Sequence, residues 1–143
     1  MTIGIISIPM MLVGIKYTQQ KNIQFEKHKI FEFTAWVKVN ELIDNNNISL
    51  LGFSQGTILS YALCLNYPEK FKKIIGFSGY IDEAMINIRS NNIDYGKLNL
   101  YISHGKNDPV IPVDWARKSI EILKNNKINY SFNEFNSAHT ISP

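Results

Sequence analysis

The chain has one cysteine and three histidines among its 143 residues. A single cysteine excludes an internal disulfide and suits a reducing compartment, the cytoplasm. His28, His104 and His139 are scattered, so no zinc-ligand spacing is present and neither a metal nor a cofactor is expected. Charge is sparse as well, at 19% of residues with a net charge of +3. The lysines are dispersed rather than gathered into a stripe with aromatics, which argues against nucleic acid as a partner. The strongly apolar stretch Ile3 to Ile15 is shorter than the roughly 18 residues of a membrane helix, and it lacks the basic region and cleavage site of a signal peptide. It reads as a buried strand, so stable membrane insertion is not expected. Repeats and a domain-breaking linker are missing too, so residues 1–143 read as one domain.

What is present centres on Gly52-Phe53-Ser54-Gln55-Gly56, a G-x-S-x-G pattern. The strand-like run Ile48-Ser49-Leu50-Leu51 leads into it and the helix-like run Thr57 to Leu63 follows. That context is what a nucleophile elbow requires: small residues on either side of the serine let strand and helix approach while the backbone makes a sharp turn. Ser54 would then present its hydroxyl at the carboxyl end of a sheet. The backbone N–H of Gln55, the next residue, is a candidate oxyanion donor.

An elbow serine needs an acid and then a histidine downstream. His139 lies in the loop-like Asn136-Ser137-Ala138-His139-Thr140, after the strand-like Asn129 to Phe132. Asp108 lies in Ser103-His104-Gly105-Lys106-Asn107-Asp108-Pro109, after the strand-like Leu98 to Ile102. Serine becomes a useful nucleophile when a neutral imidazole takes its proton, and a buried carboxylate fixes the tautomer of that imidazole. Asp82, Asp94 and Asp114 also lie between Ser54 and His139. Asp114 fits the first turn of a helix from Val113 to Asn125, and Asp82 and Asp94 flank a polar connection, so Asp108 is the candidate acid.

Together with Tyr67-Pro68-Glu69-Lys70, Phe77-Ser78-Gly79-Tyr80, His104-Gly105 before Asp108-Pro109-Val110-Ile111-Pro112, and Ala138-His139, these motifs resemble the phospholipase/carboxylesterase family, the relatives of acyl-protein thioesterases. The resemblance runs from Ile48 to Pro143. It implies an α/β fold, an α/β-hydrolase-like parallel sheet flanked by helices. It also implies a serine hydrolase acting on a small-molecule carboxylic ester or thioester through an acyl-enzyme, with Ser54 as nucleophile, Asp108 as orienting acid and His139 as base.

Departures from the family pattern set further expectations. No His-Gly precedes Ser54, so the loop that supplies the family's second oxyanion donor is missing from the pattern. Loss of one such donor costs on the order of 100-fold to 1000-fold in rate. The chain therefore reads as a partial member, truncated at its amino-terminal side. An alternative reading is a catalytically impaired remnant, or an interaction module that keeps the three residues without a working site. In the family's sheet order a strand separates the one resembling Ile3 to Ile8 from the nucleophile strand. Ile48 to Phe53 is thus expected either to pair directly with the amino-terminal strand or to leave an exposed edge that drives self-association.

The rest of the chain alternates helix and strand, the pattern of a parallel sheet with crossovers. Lys16 to Lys27 reads as loop, and Phe25 to Asp44 as an amphipathic helix in which Trp36 packs and His28 faces solvent. Met10, Met11 and Leu12 read as core packing. Ile74 to Phe77 reads as strand, Ser78-Gly79-Tyr80 as a turn, Ile81 to Arg89 as a short irregular helix or lid segment, and Asn129 to Phe135 as the last strand. His104-Gly105, downstream of the nucleophile, is assigned a structural role. Cys64, on the helix after the elbow, reads as a small buried apolar residue rather than a catalytic thiol.

Overall fold

A computed structural model of the chain describes residues 48–87 and 94–141 together with the backbone of residues 5–7. The elements expected at Lys16 to Lys27 and Phe25 to Asp44, and the residues Met10, Met11, Leu12, His28 and Trp36, lie outside the described residues.

Among the described residues five parallel strands make one sheet in chain order: β1 (Ile5–Ser7), β2 (Ser49–Phe53), β3 (Lys73–Phe77), β4 (Asn99–Gly105) and β5 (Asn129–Phe135). Helix α1 (Gln55–Asn66) joins β2 to β3, and helix α2 (Val113–Asn125) joins β4 to β5. Parallel neighbours need such crossovers, and a sheet built in one direction places them on one face. Leu63 and Leu65 of α1 and Leu123 of α2 accordingly share a core with Leu50, Ile74, Leu100 and Ile102 of the sheet. The alternate residues Leu51, Phe53, Ile75, Phe77 and Tyr101 point to the other face and are half-buried.

Of the two arrangements expected for the nucleophile strand, the structure has direct pairing, with Ile5 opposite Ser49 and Ser7 opposite Leu51. Strand β2 is therefore interior, and among the described strands β1 and β5 are the outer ones. Strand β4 departs from expectation: it was read as ending at Ile102 and runs on to Gly105. The pairs His104–Glu134 and Gly105–Phe135 extend the ladder, because β5 is equally long and continues to satisfy the backbone of β4. Of the helix expected from Ile81, the described part is a single 3-10 turn at Glu83–Met85, capped by Asp82 Oδ1, which accepts from Ala84 N at 3.0 Å.

The two helices differ in ways their sequences explain. Helix α1 is apolar on all sides and is buried from Gly56 to Leu65, as a helix set between two apolar layers must be. Its outer side, Ile58, Leu59 and Ala62, meets Met85 and Ile111 in a second cluster. It stops before Tyr67-Pro68, since the residue before a proline is pushed out of helical geometry. Helix α2 is amphipathic, with Ala116, Ser119 and Leu123 inward, Asp114 in its first turn and Lys124 in its last, matching the helix dipole at both ends.

Candidate active site

The turn from β2 into α1 is set by space. A side chain at Gly52 would fall 2.6 Å from the backbone of Gly56 and Thr57, so only glycine lets helix and strand come this close. Ser54 makes the turn with φ 55 and ψ −120, a left-handed conformation that costs a non-glycine residue on the order of 1–3 kcal/mol and must be held by its surroundings. The holding bonds are visible. Ser54 N donates to Phe77 O at 2.9 Å, and Thr57 Oγ1 donates to the same carbonyl at 2.8 Å while accepting from Phe77 N at 3.0 Å. Thr57 thus ties the first turn of α1 to the end of β3. Thr57 reaches Phe77 across 20 residues of sequence, so no local pattern announces the bond.

Asp108 follows the end of β4, and its side chain is fully shielded. Its Oδ1 accepts from Val110 N and Ile111 N, both at 2.9 Å, which fixes the carboxylate's rotation. Its Oδ2 accepts from His139 Nδ1 at 2.7 Å. Burial by itself raises the carboxyl pKa, but the bonds from Ile111, His139 and Val110 outweigh it and hold the pKa below the ordinary carboxylate value. Asp82, Asp94 and Asp114 do not approach this point: Asp82 caps the 3-10 turn, Asp94 accepts from Gly96 N, and Asp114 pairs with Arg117 on an exposed surface.

His139 lies past the end of β5. A carboxylate can only accept, so Nδ1 carries the ring proton toward Asp108 and Nε2 is the acceptor. Nε2 lies 2.9 Å from Ser54 Oγ. Phe53 packs against the imidazole with ring centroids 4.9 Å apart and a 44° tilt. Ser78, itself in a left-handed conformation at φ 49, donates from Oγ to Thr140 O at 3.2 Å and so anchors the segment just after the histidine. Phe53 stands inside the G-x-S-x-G pattern and Ser78 inside Phe77-Ser78-Gly79-Tyr80, but their contacts with the histidine segment carry no spacing signal in the sequence.

Ser54, His139 and Asp108 therefore lie in one hydrogen-bonded line at the carboxyl edge of the sheet. Gln55 is the first residue of α1, where a backbone N–H has no partner within the helix and can face an anion, whereas Thr57 N and Ile58 N donate to Ser54 O. Cys64 is fully buried, donates weakly to Tyr61 O at 3.4 Å and has its thiol pKa pushed up by burial, so it stands apart from this chemistry. Among the described residues no helix is long and apolar enough to cross a membrane.

A parallel sheet that ends in a strained serine turn, with acid and imidazole on later strand ends, defines the α/β-hydrolase class of fold. Within that class the Phospholipase/Carboxylesterase profile matches residues 14–143, and the chain belongs to that family. It is similar to acyl-protein thioesterase 1 of Saccharomyces cerevisiae, at 28% identity over 116 residues, 78% of this chain and 51% of the relative. The corresponding protein of Yarrowia lipolytica is 30% identical over 80 residues, 56% of this chain and 35% of its own. Among solved structures, a phospholipase/carboxylesterase from Dyadobacter fermentans superposes with a TM-score of 0.72 at 27% identity, covering 86% of this chain and 59% of that one. The Bacillus cereus carboxylesterase shares the fold with a TM-score of 0.71 at 19% identity, covering 87% of this chain and 57% of that one. The chain spans about half the length of the curated relatives it matches.

Proposed function

We propose that this chain is a serine hydrolase that cleaves carboxylic esters or thioesters through Ser54, His139 and Asp108. The observation that carries the reading is the continuous line Asp108 Oδ2, His139 Nδ1, His139 Nε2, Ser54 Oγ, with separations of 2.7 Å and 2.9 Å. Ser54 Oγ attacks the acyl carbon as its proton passes to His139 Nε2, and Asp108 stabilises the imidazolium without taking the proton. The oxyanion forms beside the N–H of Gln55. Its collapse breaks the C–O or C–S bond, and His139 returns the proton to the departing alkoxide or thiolate. Water, deprotonated by the same nitrogen, then attacks the acyl-serine, releasing the acid and regenerating Ser54. Family membership and the thioesterase relatives support this substrate class, and a buried, unpaired Cys64 suits a cytoplasmic setting.

A fluorophosphonate probe tests the reading, since it reports an activated serine independently of substrate. Wild-type protein becomes covalently labelled on the peptide containing Ser54, and Ser54→Ala is not labelled. Folded wild-type protein that stays unlabelled would refute the proposal.

A further inference from the structure

His104 is a buried histidine that the chemistry above does not use. It sits on β4, 1% exposed, one residue before the strand's last glycine. Its Nε2 lies 2.8 Å from Ile111 O. A carbonyl can only accept, so Nε2 is the donor in this bond. Among the described residues Nδ1, also buried, has no hydrogen-bond partner. Packing alone would be served better by an apolar side chain, which leaves no orphaned atom. The donor at Nε2 is what the imidazole adds.

The place where that donor acts is specific. Ile111 is the residue whose N–H binds Asp108 Oδ1 at 2.9 Å, so His104 holds the carbonyl side of the same residue that orients the acid. The same Nε2 lies 3.4 Å from Asp108 Oδ2, the oxygen that accepts from His139. The carboxylate is therefore gripped at Oδ1 by two backbone N–H groups and flanked at Oδ2 by two imidazoles. Strand β4 is in this way fastened across the acid loop to the entry of α2, with Asp108 between.

We propose that His104 is a positioning residue, which fixes the acid loop through Ile111 O and thereby directs Asp108 Oδ2 at His139. The inference rests on the serine-hydrolase reading for its consequence but not for its geometry. Side-chain length separates it from simple packing: a glutamine amide nitrogen can reach the position of His Nε2, whereas an asparagine amide nitrogen reaches that of Nδ1.

The experiment compares wild type with His104→Gln, His104→Asn and His104→Met by two readouts, the rate of fluorophosphonate labelling and the far-downfield proton NMR signal of the His139–Asp108 hydrogen bond. Labelling falls about tenfold or more in H104M and H104N and stays within about threefold of wild type in H104Q, as expected when an orienting contact is lost or restored. The downfield signal broadens or disappears in H104M and H104N and persists in H104Q. If H104M does not fold, the two amide variants, alike in polarity, still decide. Equal labelling and equal signals in folded H104N and H104Q would overturn the proposal. A wild type that is never labelled, but whose downfield signal survives in H104Q and is lost in H104N, would sink the hydrolase reading and leave the positioning role standing.

Discussion

Gly105, the last residue of β4, lies directly under the carbonyl of Ala138: a β-carbon there would collide with Ala138 O and with Ser137 O. Its φ is not left-handed, so the demand is for room and not for an unusual backbone conformation. The absent side chain lets the histidine-bearing loop settle onto the end of β4, where Asn107 N donates to Ser137 O at 3.0 Å.

Gly105→Ala is therefore expected to separate His139 from Ser54 more than it unfolds the protein. Overpacking of this kind costs about 1–3 kcal/mol, and displacement of a general base by about 1 Å costs about 100-fold in rate. Urea denaturation together with fluorophosphonate labelling checks it. A variant that labels as fast as wild type would show that the loop yields without moving the imidazole.

Ser54 supplies a test of stored backbone strain. With φ at 55, the elbow suits glycine better than any residue with a β-carbon. Ser54→Ala and Ser54→Gly both remove the hydroxyl and its bond to His139, so their difference isolates the backbone. Strain relief of about 1–3 kcal/mol is opposed by glycine's entropic cost of about 0.5–1 kcal/mol. Ser54→Gly should thus be more stable than Ser54→Ala by about 1 kcal/mol in equilibrium denaturation, and neither should label. A Ser54→Gly variant less stable than Ser54→Ala by about 0.5–1 kcal/mol, the entropic cost alone, would place no strain at the elbow.

How much of this was legible in the sequence depended on whether a feature repeats or is punctuated. Helix α2 and strand β5 were readable to their ends, because α2 is amphipathic and β5 follows a polar turn. Ser54, Asp108 and His139 were readable because each follows a strand and because chain order restricts the choice of acid. The end of β4 was not: His104-Gly105 looks like the start of a loop, and only pairing with Glu134 and Phe135 keeps it in the sheet. The supports at Thr57, Phe53 and Ser78 act across long sequence separations, as with Ser78 and Thr140, and no local pattern announces such bonds.

Two carboxylates give the fold an acid-sensitive component. Asp108 is held below the ordinary value by bonds that outweigh its burial, and Glu134 is held low chiefly by its bonds to Arg117. A depressed folded-state pKa means that the unfolded chain binds more protons, so this stability is present above the unfolded value of about 4 and is lost as pH falls through the folded value. Asp108→Asn removes the Asp108 part. The gap in urea stability between wild type and D108N should accordingly be widest near neutral pH and close as pH falls below about 4. A gap that is constant with pH would mean that Asp108 titrates alike in both states.

Turnover should lag behind labelling, and the reason lies in the oxyanion. Phosphonylation draws on the Ser54–His139 bond, which is present at 2.9 Å. Both reactions place a negative oxygen in the oxyanion site, but ester hydrolysis must do so through two successive transition states, and among the described residues the donor assigned to it is the N–H of Gln55. Removal of one donor of a pair lowers the rate on the order of 100-fold to 1000-fold. The expectation is thus brisk labelling but slow hydrolysis of a short p-nitrophenyl ester, with the deficit in kcat and not in KM, since an oxyanion donor acts in the transition state alone. Labelling rates and steady-state constants, set beside those of the Saccharomyces cerevisiae thioesterase, provide the check. If the ratio of turnover to labelling equals that of the longer relative, a second donor already serves the site and the expectation fails.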